Sequence, residues 1–160
     1  MPMQHYQPET YHARGSVGYL IKRAHALLVD HMETAVAPSG FTFTQWVVLM
    51  YLRDGLALNA TELCSKLRHD SGALTRVIDQ LEARGLVVRE RSREDRRAVQ
   101  LKLTDSGLQT VAALVPSVVD KLNYALRDFS RAEVGELSRL LTKLVHNVDD
   151  VAGQTPEEAA

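Results

Sequence analysis

The apolar residues of this chain keep helical spacing almost throughout and change to strict alternation only once, between Gly85 and Leu103. The two periods cannot be exchanged, because each puts the apolar set on one face of only one kind of element. The pattern therefore predicts a fold that is mainly α with one small β-hairpin. From Ser16 to about Ala37, the residues Val17, Leu20, Ile21, Ala24, Leu27, Leu28 and Ala35 form a helical stripe that Pro38 and Gly40 end. Thr42 and Gln45 have the spacing of a capping box, flanked by Phe41 and Trp46 as a hydrophobic staple, and open a second helix to about Arg53. Asn59 and Glu62 repeat that signature between Leu58 and Leu63, for a short helix to about Leu67. Asp70 or Ser71 caps the next helix, which runs to Arg84. Gly85 stands where a left-handed residue ends such a helix, with Leu81 and Leu86 to make the accompanying contact.

Alternation then predicts strands at about 86–91 and 98–103, joined by the charged loop Ser92 to Arg97. Leu103, Thr104 and Leu108 staple a long helix from Asp105 to about Arg127, with a bend expected at Pro116. Ser130 and Glu133, between Phe129 and Val134, open a last helix to about Val148. The acidic tail, 151–160, is expected to be disordered. Two short helices with a three- or four-residue turn have the size of a helix-turn-helix, and the hairpin after them that of its wing.

The length of 160 residues suits one domain with an appendage. The single cysteine, Cys64, excludes an internal disulfide framework and a thiolate zinc cluster. The first residues carry no secretory pattern, and no run of about 18 apolar residues occurs, so a cytoplasmic protein without membrane contact is expected. Net charge is −1, which announces no polyanionic partner, but its distribution is uneven. Residues 66–102 hold ten basic and six acidic side chains, and the remainder nine basic and fourteen acidic. A polarised excess of four positive charges over a helix-turn-helix and hairpin is the footprint of a duplex-binding surface.

The run Asp70-Ser71-Gly72-Ala73-Leu74-Thr75-Arg76, the segment Glu94-Asp95-Arg96-Arg97 and the motif Leu103-Thr104-Asp105-Ser106-Gly107 resemble the MarR (multiple antibiotic resistance regulator) family. These are winged-helix transcription factors, and the resemblance spans roughly residues 16–148. It implies an N-terminal arm (1–15), a helical dimerisation region (16–41 and 104–150) and a winged helix-turn-helix lobe (42–103). Within the lobe the recognition helix is placed at about 71–84 and the wing at about 86–103. It further implies a homodimer on a pseudo-palindromic double-stranded DNA operator, with recognition helices in successive major grooves.

Ser71, Thr75 and Arg76 then become the base-reading candidates, and Gly72 and Ala73 are small enough for close approach. Leu74, Val77, Ile78 and Leu81 face the core. Arg76 also has Asp79 and Gln80 within a turn as alternative partners. In the wing, the family pattern assigns Arg97 to a narrow minor groove, where arginine is favoured. Asp95 would orient the wing-tip arginine, and Arg93 and Arg96 would contact phosphates.

Many members of the family answer to small aromatic acids or phenols. By that resemblance Arg14, Ser16, His31 and Trp46 are effector candidates, and the expected function is a repressor released by such a ligand. An activator or a protein-binding winged-helix module without a small-molecule effector is the alternative. His25 and His31 lie on different helix faces, without companion carboxylates, so no metal site or other cofactor is expected. No nucleophile–base arrangement or glycine-rich phosphate loop suggests an enzyme. Cys64, between Leu63 and Leu67, is expected to be buried and inert.

Overall fold

The computed structural model describes residues 4–91 and 99–153. Its elements are α1 (Val17–Val36), α2 (Phe43–Arg53), α3 (Ala60–Leu67), α4 (Ser71–Ala83), β1 (Val87–Arg91), β2 (Val99–Leu103), α5 (Asp105–Ala125) and α6 (Arg131–Gly153). Two compact units result, one up to Leu122 and one from Asn123 onward.

In the first unit each helix starts where a short polar side chain can take up its free N–H groups. Ser16 Oγ accepts from Tyr19 N–H at 3.2 Å, and the Thr42–Gln45 box is closed in both directions, at 3.2 and 3.0 Å. Asn59 Oδ1 accepts from Glu62 N–H at 2.9 Å. For α4 the cap is Asp70, whose Oδ1 accepts from Ala73 N–H at 2.8 Å, and Ser71 is the first helical residue. Gly85, at φ 69°, ends α4 in a Schellman arrangement: its N–H bonds Glu82 C=O at 2.8 Å, and Leu86 N–H bonds Leu81 C=O at 3.0 Å. Leu81 and Leu86 are both buried beneath this stop.

The hairpin is antiparallel, with Val87 opposite Leu103, Arg89 opposite Leu101 and Arg91 opposite Val99. On its outer edge β2 is held by Leu101 N–H bonding Leu58 C=O at 2.8 Å. Thr104 joins the hairpin to α5 and to the end of α4. Its Oγ1 donates to Gly85 C=O at 2.7 Å and accepts from Gly107 N–H at 3.0 Å, while its N–H reaches Leu86 C=O at 3.1 Å.

The core of this unit gathers Val36, Val48, Leu49, Leu63, Leu74, Ile78, Leu81, Val87 and Val111, all essentially inaccessible. Each such aliphatic side chain contributes about 2 kcal/mol by leaving water. Leu74, Ile78 and Leu81 form the buried stripe of α4 as predicted, with Val77 half-buried at its margin. On α1 the predicted stripe divides. Its last member, Ala35, is in the core beside Met32 and Val36, which the stripe did not include, whereas Val17, Leu20, Ile21, Leu27 and Leu28 stay exposed.

The second unit is dominated by α6, whose Ser130–Glu133 box is closed by bonds of 2.7 and 3.2 Å. One sequence expectation needs correction. The last helix continues to Gly153 rather than stopping near Val148, so the expected tail loses residues 151–153. No proline precedes Gly153 in α6 to stop the helix earlier. The arm before α1 holds short 3-10 turns at Pro8–Thr10 and Ala13–Gly15. Tyr6 Oη ties this arm down by accepting from Val17 N–H at 2.9 Å. Residues 154–160 of the expected tail lie outside the described residues.

Candidate nucleic-acid interface

The turn between α3 and α4 sets the stage for the recognition candidates. Arg68 is left-handed (φ 51°), and His69 N–H bonds Cys64 C=O at 3.2 Å, so α3 also ends in a Schellman arrangement, here without glycine. Three residues, Arg68 to Asp70, then turn the chain into α4. The N-terminal half of α4 shows Ser71, Gly72, Ala73, Thr75 and Arg76 to solvent, opposite the buried stripe. Its first N–H groups point out along the helix axis at this end, where Asp70 already takes that of Ala73 and the others can meet an anionic backbone.

Individual side chains are already partly committed. Thr75 Oγ1 donates to Ser71 C=O at 2.7 Å, which fixes its rotamer and leaves its methyl and a lone pair outward. A Cβ at Gly72 would stand 3.3 Å from Asp70 Oδ1, so its small size protects the cap as well as allowing close approach. Arg76 takes neither alternative partner. Asp79 bonds Arg89 at 2.6 Å and Gln80 bonds Gln45 at 2.9 Å, which leaves the Arg76 guanidinium without an ion pair among the described residues.

The basic excess read from sequence is smaller in space than in number. Arg84 donates to Gly40 C=O at 2.9 Å and lies over the Phe41 ring, 3.7 Å from its centroid. Arg89 bridges Asp79 and Glu82, and Lys102 pairs with Glu90 at 2.8 Å. The Asp79 hydrogen bond is the chief reason that the Arg89 guanidinium holds its proton more firmly than an ordinary arginine. Lys66, Arg68, Arg76 and Arg91 remain exposed and unpaired among the described residues, and are the described cations of this segment that can meet phosphate. Arg93, Asp95, Arg96 and Arg97, the wing candidates, lie outside the described residues; Arg91 and Val99 are the last pair before them.

The effector candidates do not converge within one chain. Arg14 is exposed on its 3-10 turn. Ser16 is buried, with its hydroxyl donating to Ala13 C=O at 2.9 Å and capping α1. His31 is half-buried fifteen residues further along α1, about 22 Å away at helical rise. Trp46 belongs to the core. Cys64 is half-buried against that core rather than fully enclosed. No group of three metal-ligating side chains occurs among the described residues, and no helix among them is long and apolar enough to cross a membrane.

Sequence reasoning missed the ties from Arg84, Arg89 and Gln80. Their only signal was a glutamine already assigned to a cap and basic residues already assigned to a surface.

The helix-turn-helix followed by a hairpin has counterparts in known proteins. The MarR family model matches residues 39–98. The transcriptional regulator MgrA of Staphylococcus aureus is 34% identical over 109 residues, which are 68% of this chain and 73% of the relative. BpsR of Bordetella bronchiseptica, solved in work on regulation of its DNA binding by 6-hydroxynicotinic acid, is 30% identical. Its TM-score is 0.72, and the match covers 84% of this chain and 96% of that one. A cysteine-to-serine variant of E. coli MarR complexed with operator DNA is 29% identical, with a TM-score of 0.69 over 80% of this chain and 92% of that one. Winged helix, recognition-helix motif and relatives agree: this chain belongs to the MarR family of DNA-binding transcriptional regulators.

Proposed function

We propose that two copies of this chain grip a pseudo-palindromic operator as a repressor and let go when a small aromatic or phenolic acid binds. The observation that carries the DNA reading is the exposed N-terminal face of α4, where Ser71, Thr75 and Arg76, unpaired among the described residues, stand over a capped helix start. In a major groove such side chains reach base edges; arginine can bond guanine in a two-pronged fashion. Arg97 would enter the adjacent minor groove, with Asp95 orienting the wing tip and Arg93, Arg96 and Arg91 on phosphates. The complex of E. coli MarR with operator DNA supports this assignment.

The dimer is supported by two apolar faces that a single chain leaves in water. On α1 these are Val17, Leu20, Ile21, Leu27 and Leu28, and on α6 they are Leu137, Leu140, Leu141, Val145 and Val148. Contiguous apolar faces of this extent mark association surfaces. The ligand class is supported by BpsR, whose DNA binding 6-hydroxynicotinic acid regulates. A ligand that binds the released state more tightly lowers operator affinity by that difference alone. Among the effector candidates Ser16 is occupied as a cap and Trp46 as core, and Arg14 and His31 stand too far apart along one chain to hold a single small acid together, so the acid is assigned to one of these two.

The test is enrichment of duplexes from a random pool, followed by titration of the enriched duplex by fluorescence anisotropy at fixed salt. Arg76→Ala is expected to weaken the enriched duplex about 10- to 100-fold, and Arg97→Ala about tenfold, with dimer mass and melting unchanged. Equal affinity of parent and both variants refutes the interface. Titration of 6-hydroxynicotinic acid or salicylate into the complex reads the ligand class directly.

A further inference from the structure

We infer that Gln45, Gln80 and Arg84 form a two-rung latch that sets the rotation of α4, and are positioning residues for operator recognition, an inference that rests on the DNA reading above. Gln45 is a buried polar residue at 7% exposure. Its Oε1 accepts from Thr42 N–H at 3.0 Å, while its Nε2 donates to Gln80 Oε1 at 2.9 Å. One turn further along α4, Arg84 Nη1 donates to Gly40 C=O at 2.9 Å, with its guanidinium stacked 3.7 Å over Phe41. Both rungs end on the segment Gly40 to Gln45. That segment is itself bound to α1, because Glu33 Oε2 accepts from Phe43 N–H at 2.6 Å.

The reason to assign these rungs a recognition role is directional. Leu74, Ile78 and Leu81 hold α4 against the core, but apolar contact is non-directional and tolerates some turning of a helix about its axis. A hydrogen bond between two amides and a planar cation over a ring do not tolerate it. A turn of about 20° swings a side-chain end at a radius of about 6 Å through roughly 2 Å, enough to lose a base-edge hydrogen bond. Phosphate contacts by flexible cations survive a shift of that size. The latch should therefore act on the specific affinity and spare the nonspecific one.

Gln45 and Phe41 are buried and cannot touch DNA, so their variants are decisive, and the exposed Gln80 is read beside them as the other end of the same rung. Gln45→Met keeps length and removes the rung to Gln80, and Phe41→Leu removes the ring beneath Arg84. Gln80→Met breaks the first rung from the α4 side. Thr42→Ala is the control, since it weakens the same helix cap but leaves both rungs. The duplex enriched by the parent protein and a scrambled duplex of equal length are titrated with each variant, beside thermal melting. Gln45→Met and Gln80→Met are each expected to lose about five- to tenfold on the enriched duplex, and the double variant no more than either alone. Phe41→Leu is expected to lose about threefold to tenfold there. All are expected to bind the scrambled duplex within about twofold of the parent, and Thr42→Ala to bind both normally although it melts lower. The latch is refuted if the Gln45 and Gln80 variants match the parent on the enriched duplex. It is equally refuted if they lose both duplexes alike, or if Thr42→Ala loses as much specific affinity as they do. A parent protein that enriches no duplex at all instead refutes the DNA reading, and this inference with it.

Discussion

Gly107 is where the Leu-Thr-x-x-Gly motif meets its physical reason, and replacing it with alanine gives a sharp test of the packing. A Cβ at this position would lie 2.2 Å from the Leu86 carbonyl oxygen, 3.2 Å from its carbon and 3.3 Å from Leu103 Cδ2. The first two are backbone atoms, and that oxygen already accepts from Thr104 N–H at 3.1 Å, so it cannot swing aside. Relief requires α5 to back away from the end of α4. Overpacking of this kind costs about 1–3 kcal/mol, and contact with backbone places Gly107→Ala at the upper end. Alanine's better helix propensity returns up to about 1 kcal/mol, so the net loss is roughly 2 kcal/mol. For a chain of this size that lowers the midpoint by roughly 4–8 °C. Gly135→Ala on α6 is the paired control. A Cβ there meets nothing within 4 Å, so the same substitution is expected to stabilise by up to about 1 kcal/mol. Melting followed by circular dichroism, at one protein concentration, reads both. A Gly107→Ala protein as stable as the parent would show that the α5 start does not press on Leu86, and the explanation of the motif would fail.

Arg68→Gly relieves a left-handed arginine (φ 51°) and is expected to raise stability by about 0.5–1 kcal/mol in urea unfolding; a loss would mean the arginine side chain holds the turn. Arg89→Met removes the bridge from β1 to Asp79 and Glu82, which is about one-third exposed at the arginine. A loss of only about 0.5–1 kcal/mol is expected, with faster amide exchange confined to the hairpin. Glu133 is held below the ordinary glutamate range, chiefly by the Ser130 backbone N–H and then by its hydroxyl. A depressed folded-state value contributes stability above the unfolded-state range that disappears as pH falls through the folded one. Acidification from pH 6 to 3 is thus expected to fray the start of α6, and Glu133→Gln to flatten that part of the profile, as followed by amide chemical shifts. Leu140→Glu places a charge on the exposed face of α6. It is expected to abolish the dimer in sedimentation equilibrium and, by separating the two half-site contacts, to weaken the enriched duplex at least about 100-fold; unchanged mass refutes this face as the contact.

Local chemistry made much of the fold legible. Thr42 with Gln45, Asn59 with Glu62 and Ser130 with Glu133 each announce a helix start within four residues, and each is present at the predicted place. Gly85 ends α4 as read, because only a residue at ease with positive φ suits that Schellman position. Arg68 shows the limit of the same rule, since it takes a left-handed position with no glycine to signal it. The candidate face of α4 was legible for a similar reason: one helical period separates Leu74, Ile78 and Leu81 from Thr75 and Arg76. What sequence could not show is which charges cancel. Arg84 finds a carbonyl 44 positions away, and Arg89 finds Asp79 and Glu82 across the α4–β1 turn. Counting charges along the chain credits both to a DNA surface. Only the packing shows that they hold α4 in place.

That reassignment sharpens how such a protein divides its labour. The first unit closes its own interior: helix starts are capped, α4 is tied to its neighbours at Gln80, Arg84 and Asp79, and Leu74, Ile78 and Leu81 are sealed. The ten exposed apolar residues of α1 and α6 have the opposite character, for nothing among the described residues covers them. Burying the remaining half of each contributes on the order of 1 kcal/mol per side chain. Summed over two copies this reaches roughly 20 kcal/mol, beyond the roughly 4–15 kcal/mol that association costs in lost freedom. A second copy is therefore a sufficient occupant for each face of the proposed repressor. In such a machine a ligand need not touch α4 to release DNA. It need only change how α1 is held, since Glu33 of α1 accepts from Phe43 N–H, the adjacent Thr42 N–H bonds Gln45 Oε1, and Gln45 Nε2 donates to Gln80 of α4.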